Sequence, residues 1–409
     1  MSALEGLKVV DLSRYLSGPT LTMLLADLGA DVIKVETLPH GDPARQSGPF
    51  HGAESVYYMA SNRNKRSFAV DLRRPEGLEL VLRLIDEADV FVQNFRPGTV
   101  EKMGLGEGVL RARNPRLIYV NISGFGSVPP GDALPGFDQT AQAMSGLMSV
   151  TGTPETGALR VGIAVSDSTT GIFSAVGVLA ALHERNRTGR GSLVEASLME
   201  STLTLMSYQA QKYLSLGVVP GQDGNDHPIM FPQGTFRAKD ASITLASGNE
   251  RMWRQLCTAL HLEELAEDQR FADNAGRMQH RVELRRLIEG VLSTKPASVW
   301  IRDINDAGVP CARVLDLEEA LTHPITQSLN MVETVGHSAL GEMKVLGQAV
   351  KVEGSEAGWL RRPAPLLGEH TAEIAQELGV SAERLNELVE VGVLQEPPLA
   401  APRVMAARA

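Results

Sequence analysis

The sequence predicts an α/β fold: a Rossmann-like large domain on a parallel sheet, plus a smaller α+β domain. Three observations predict it. Short β-branched runs alternate with helical periodicity through residues 7–122, as a parallel sheet covered by helices requires. Residues 136–217 read as mostly helical, with small apolar residues running almost unbroken from Asp167 to Asn186. Composition then shifts to Gly217–Asp226, rich in glycine and acid and without periodicity, which reads as a hinge or loop.

In order, Leu7–Leu12 is a strand, Thr20–Leu28 a helix entered at Gly18-Pro19 and stopped by Gly29, and Asp31–Glu36 a second strand. These three make one βαβ unit. Ser67–Leu72 is the next strand, and Pro75 suits the first turn of a helix running to Ala88. Asp89–Asn94 and Arg116–Ile122 are further strands. After a turn at Thr188–Gly191 come a short strand, Leu193–Ser197, and one long helix to Leu216. Phe231–Phe236 and Ser242–Ala246 flank a polar turn and pair as a hairpin. Charged helices fill 250–307. The large domain is read over 1–217, the small domain over 218–325, a C-terminal segment returning to the large domain over 326–396, and a flexible Pro/Ala-rich tail over 397–409.

The 409 residues are 43% hydrophobic and 22% charged, ordinary for a globular protein with a large core. Cys257 and Cys311 are the only cysteines, which excludes a disulfide framework and fits the cytoplasm. A net charge of −10 argues against nucleic acid as a partner. The opening residues lack the apolar core of a secretory leader. The longest uncharged apolar stretch, Ser168–Leu182, is shorter than the ~20 residues of a membrane span. No membrane partner is expected, and the stretch reads as a buried helix.

Familiar cofactor motifs are missing. Ser13–Pro19 stands where a dinucleotide fingerprint would follow the first strand. Neither a P-loop, a His-Glu-x-x-His pair nor a G-x-S-x-G elbow occurs. NAD, ATP, zinc-hydrolase and serine-hydrolase chemistry are set aside, and no metal is expected.

Two features remain. Ser61–Arg74 holds Arg63, Lys65, Arg66, Arg73 and Arg74 against the single acid Asp71. It reads either as a solvated loop and helix entrance or as a phosphate site, since guanidinium forks suit phosphate oxygens. Asn94–Gly98 and Lys102–Gly104 sit where a strand ends and a helix begins, a common place for anions. Asp167 precedes the apolar helix and reads either as its N-cap or as a carboxylate nucleophile walled by small residues. Ser166 or Ser168 offers an alternative cap.

The run Asp167, Gly171, Leu179–Leu182, Arg185, Thr188–Gly191 and Val194–Leu198 resembles the signature of the class III CoA-transferases, the family of formyl-CoA transferase and carnitine CoA-transferase. Gly29–Glu36, Asn64–Ser67, Asn94–Gly98, Ser123–Gly126, Gly308–Pro310 and Pro365–His370 agree in the same order, so the likeness spans residues 5–372. The resemblance implies a nucleophilic Asp167 and CoA contacts at Arg73, Asn94, Phe95, Lys102 and Met103. It implies coenzyme A or acyl-CoA as substrate, an interlocked homodimer, and a mobile glycine-rich loop at Gly221–His227. Two departures stand out. Leu16 replaces the glutamine that formyl-CoA transferase uses near its acyl group. Gly136-Phe137-Asp138 stands where the related α-methylacyl-CoA racemases carry Gly-His-Asp. The expected activity is CoA transfer from an acyl-CoA, possible donors including succinyl-CoA, to a small carboxylic or dicarboxylic acid. The alternatives are a racemase of the same family and a non-catalytic CoA-binding dimer.

Overall fold

A computed structural model describes residues 2–353 and 358–397. Nearly all of the tail read as flexible lies outside the described residues. The chain divides into two compact units, residues 1–148, 160–218 and 330–409 in one, 149–159 and 219–329 in the other.

The first unit is built on a seven-stranded sheet. Its order is Leu193–Ser197, Ile118–Ser123, Val90–Gln93, Lys8–Asp11, Asp31–Thr37, Lys65–Val70, Leu394–Gln395. Every pairing is parallel except the last, where Leu394–Gln395 runs antiparallel to Lys65–Val70. Alternate side chains supply two buried faces. Val10, Ile33, Val35, Phe68 and Phe91 pack toward the Pro75–Glu87 helix and the helices after Thr371. Val9, Val32, Val90, Val92 and Val120 pack toward the Ser17–Asp27 and Val165–Thr188 helices.

Gly171 is what lets those last two helices meet. A Cβ there would lie 2.7 Å from the Ser17 carbonyl oxygen. The opposite side of the Val165–Thr188 helix was expected in a crowded interior, yet Ile172, Phe173, Val176 and Leu179 are exposed. By length and composition alone this helix is apolar enough to cross a membrane. The predicted long helix after Ser197 is two, Leu198–Leu205 and Ser207–Leu216, broken where Ser207 takes φ +43°.

The basic stretch is neither a solvated loop nor a phosphate site over its first half. Lys65 and Arg66 lie on a strand buried along its whole length. Arg63 Nη2 pairs with Asp27 at 2.6 Å, Lys65 Nζ with Asp11 at 3.1 Å, and Arg66 with Asp31, Glu373 and Glu377. Carboxylates distant in sequence neutralise these cations, which local charge counting does not see.

In the second unit Gln233–Arg237 and Ser242–Ala246 form the predicted hairpin, extended by Cys311–Arg313. Phe231, Trp253, Ile288 and Trp300 anchor its core. Residues 149–159, which the sequence reading kept with the large domain, group here because Gly224 N–H donates to the Gly152 carbonyl at 2.9 Å and Gln222 Nε2 to the Thr151 carbonyl at 3.0 Å. The Gly221–His227 loop is fastened within this unit. Asp223 pairs with Arg281 at 2.8 Å, and Asp226 with Arg285.

Candidate active site

From Lys8–Asp11 the chain moves outward through Asp31–Thr37 and Lys65–Val70, then returns to Val90–Gln93 on the other side. Strand order therefore reverses between Lys8–Asp11 and Val90–Gln93. Parallel sheets open a crevice at the strand C-termini at such a switch point. A cavity of about 280 Å³ lies there, lined by Arg14 after one strand, Asn94 and Phe95 after the other, and Tyr57, Phe137 and Asp167.

Asp167 stands in the first turn of the Val165–Thr188 helix, half-buried. It is not the cap. Ala164 holds the N-cap position and makes no side-chain cap bond. Asp138 supplies the acceptor from another helix, its Oδ1 taking the Ser166 N–H at 2.8 Å and the Asp167 N–H at 3.4 Å. The buried Gln142 fixes Asp138 by donating to Oδ2 at 2.7 Å, and its own Oε1 accepts the Val161 N–H at 2.9 Å. Burial, and then the nearby Asp138 carboxylate, push the Asp167 carboxyl from 3.8 up to about 7, against a hydrogen bond from Ser17. Tyr57 is pushed up to about 12, by burial and next by the Asp167 charge.

The loop between Asp11 and Ser17 forms one wall. Asn94 clamps it, accepting from Arg14 N–H at 2.8 Å and donating to the Arg14 carbonyl at 2.8 Å and to Ser17 Oγ at 3.3 Å. The Arg14 guanidinium stacks on Phe95, 4.3 Å from the ring centre. Below lies a buried charge cluster. Asp11 accepts from the Ser13 hydroxyl at 2.5 Å, the Thr22 hydroxyl at 2.6 Å and Lys65 Nζ at 3.1 Å. Lys34 Nζ donates to the Ser13 carbonyl at 2.9 Å and pairs with Asp42 at 3.0 Å.

Of the residues singled out from sequence, Asp167, Asn94 and Phe95 share this cavity. Arg73 does not line it. It is exposed beside Asp71, 2.8 Å away, near Leu38 and Pro39. Lys102 is exposed at the end of a short helix, and Met103 packs partly buried on the adjoining core. Sequence reading missed Tyr57 and Gln142, and it named Asp138 only within Gly136-Phe137-Asp138, without its positioning role. Phe137, where racemases carry histidine, meets Tyr15 edge-to-face at 5.9 Å. Among the described residues no three His, Cys, Asp or Glu side chains are grouped to hold a metal ion.

The fold class comes first from the solved structures. A CAIB/BAIF family protein from Brucella suis matches with TM-score 0.82 at 36% identity, over 92% of this chain and 99% of its own. The family is narrower, because the model of CoA-transferase family III matches residues 4–371. The acetyl-CoA:oxalate CoA-transferase of Acetobacter aceti is 37% identical over 91% of this chain and 95% of its own length. The human succinyl-CoA:glutarate CoA-transferase is 36% identical over 96% and 90%. The chain belongs to CoA-transferase family III and is an enzyme of that class.

Proposed function

We propose that this enzyme moves CoA from an acyl-CoA, succinyl-CoA among the candidate donors, to a small carboxylic or dicarboxylic acid, with Asp167 as covalent nucleophile. One observation carries the assignment. Asp138 does the capping, so the half-buried Asp167 carboxylate is left facing a cavity at the switch point. The relatives' activities toward oxalate and glutarate support the acid class.

In the proposed cycle Asp167 attacks the thioester carbonyl, giving a mixed anhydride and CoA thiolate. The thiolate attacks the aspartyl carbonyl, forming an aspartyl-CoA thioester and releasing the donor acid. The acceptor carboxylate attacks that thioester and expels CoA thiolate. The thiolate then attacks the acceptor carbonyl of the new anhydride, which yields the new acyl-CoA and restores Asp167. Carboxylates and thioesters are close in leaving ability, so the protein's part is orientation, oxyanion donation and exclusion of water. Backbone N–H groups at Ser17-Gly18 suit the oxyanion. No step calls for a metal. Phe137 offers no second base for racemisation.

CoA is assigned to Arg73, Asn94, Phe95, Lys102 and Met103, its phosphates to Arg73 and Lys102. Arg73→Ala and Lys102→Ala should each weaken CoA binding by about 1.5–3 kcal/mol, and less in high salt. Calorimetry checks this, and wild-type affinity in both variants contradicts it. The large unit is read as Rossmann-like and the protein as an interlocked homodimer. The exposed apolar face of the Asp167 helix supports the dimer, being the kind of patch a partner chain covers. Sedimentation should give a dimer at every concentration where the enzyme is active, and an active ~44 kDa monomer would refute it. The buried free cysteines support a cytoplasmic location.

Ionised Asp167 is the attacking form. With its carboxyl raised to about 7, kcat/KM should climb with pH through about 7. Asp138→Asn keeps an acceptor for Ser166 N–H and removes the repelling charge, so that limb should move to lower pH. An unmoved limb in the pH profile would count against the coupling. The test of the reading as a whole is a panel of acyl-CoAs against a panel of acids, read by mass spectrometry. New acyl-CoA without net hydrolysis supports it, and hydrolysis or α-proton exchange alone does not.

A further inference from the structure

The cavity beside Asp167 contains a cation that, among the described residues, no carboxylate pairs with directly. Lys34, Arg45, Arg63, Lys65 and Arg66 each meet a carboxylate within 4.0 Å. Arg14 has no such pair among the described residues. Its guanidinium donates from Nη2 to the Thr37 hydroxyl at 3.0 Å and stacks on Phe95. Asp42, the carboxylate whose charge acts on Arg14, is engaged by Lys34 at 3.0 Å and by the Tyr15 and Ala44 N–H groups. Arg14 is also partly buried, and burial is the leading cause that lowers its pKa. A desolvated guanidinium without an internal anion is costly, while its unused N–H donors form a planar fork that fits a carboxylate bidentately. Clamping of its backbone by Asn94 and stacking on Phe95 hold that fork still, so little freedom is lost when an anion binds.

We propose that Arg14 determines acid specificity by binding the second, non-reacting carboxylate of a dicarboxylic acyl group or acceptor, while the first carboxylate or thioester faces Asp167. This rests on the transferase reading above. The enzyme accordingly prefers dicarboxylic to monocarboxylic acids of the same length. Arg96 lines the same cavity but is exposed, so water screens it and it discriminates less.

Matched pairs test this: succinyl-CoA against butyryl-CoA as donor, glutarate against pentanoate as acceptor. In wild type kcat/KM should favour the dicarboxylic member of each pair. In Arg14→Gln that preference should fall by about 10- to 100-fold, the range for losing hydrogen bonds to a charged group. Arg14→Lys, which keeps the charge and loses the fork, should retain an intermediate preference and guards against a folding artefact. A preference unchanged in Arg14→Gln overturns the proposal. So does a loss equal for both members of each pair with a matching fall in CoA affinity by calorimetry, which would make Arg14 a phosphate contact. Those outcomes leave the transferase reading standing. A wild type that transfers CoA to no acid overturns the transferase reading, and this proposal with it.

Discussion

Asp167→Asn should lower turnover by roughly 10⁴-fold or more, the scale seen when a covalent nucleophile is removed, and leave the fold intact. Both halves follow from the same geometry. An amide does not form the anhydride that the cycle needs. The helix keeps its cap, because the acceptor for Ser166 N–H is Asp138 and not Asp167. The stability effect has a sign. Asp167 is raised from 3.8 to about 7 in the folded protein, first by burial and then by Asp138. Its ionisation therefore costs stability progressively as pH rises between those values, and the full cost is present above about 7. The Asn variant escapes that cost. Thermal unfolding should show it more stable than wild type at pH 8, with the difference vanishing toward pH 4. A variant destabilised at pH 8 would mean that Asp167 is structural after all.

The largest stability loss is expected from Asp11→Ala. Asp11 is fully buried, as are Lys34 and Lys65 beside it. Removing the carboxylate leaves Lys65 without its ion pair and strands the Ser13 hydroxyl, while the Thr22 hydroxyl falls back on the Gly18 and Pro19 carbonyls. Breaking a buried pair in this way costs about 3–5 kcal/mol, and denaturant titration should show that loss. Burial alone would raise the Asp11 carboxyl, but Lys34 and Lys65 outweigh it and hold it well below the usual range. A depressed carboxylate contributes stability at pH above its unfolded value near 4 and loses it as pH falls below that. Wild type and Asp11→Ala should therefore converge in strong acid. Activity should drop with stability, since the Ser13–Ser17 loop over this cluster forms the cavity wall. A cost under 1 kcal/mol would show that the cluster does not hold the loop.

The parallel sheet was legible where a strand is a short β-branched run flanked by a helix, as Leu7–Leu12 and Asp31–Glu36 illustrate, and not at the two-residue antiparallel strand Leu394–Gln395. Asp167 was legible as a candidate, but its cap reading failed for a physical reason: the competing acceptor, Asp138, lies 29 residues away and is brought in only by folding. Lys65 and Arg66 misled for the same reason. Runs of charge usually face water, and nothing local shows that Asp11, Asp31 and Glu373 converge on them. Tyr57 had no local signal at all. The hairpin of Val332–His337 with Gly341–Leu346 had half a signal: Glu342–Val345 alternates polar and apolar residues, whereas Val332–His337 does not. The break at Ser207 is a backbone event inside a pattern that is helical on both sides.

The most direct test of the central claim is to trap the acyl-enzyme. Wild type incubated with acyl-CoA and then treated with hydroxylamine or borohydride should carry the modification on Asp167, identified by peptide mass, and Asp167→Asn should carry none. Labelling of a different carboxylate, or transfer by the Asn variant at close to the wild-type rate, would contradict the account.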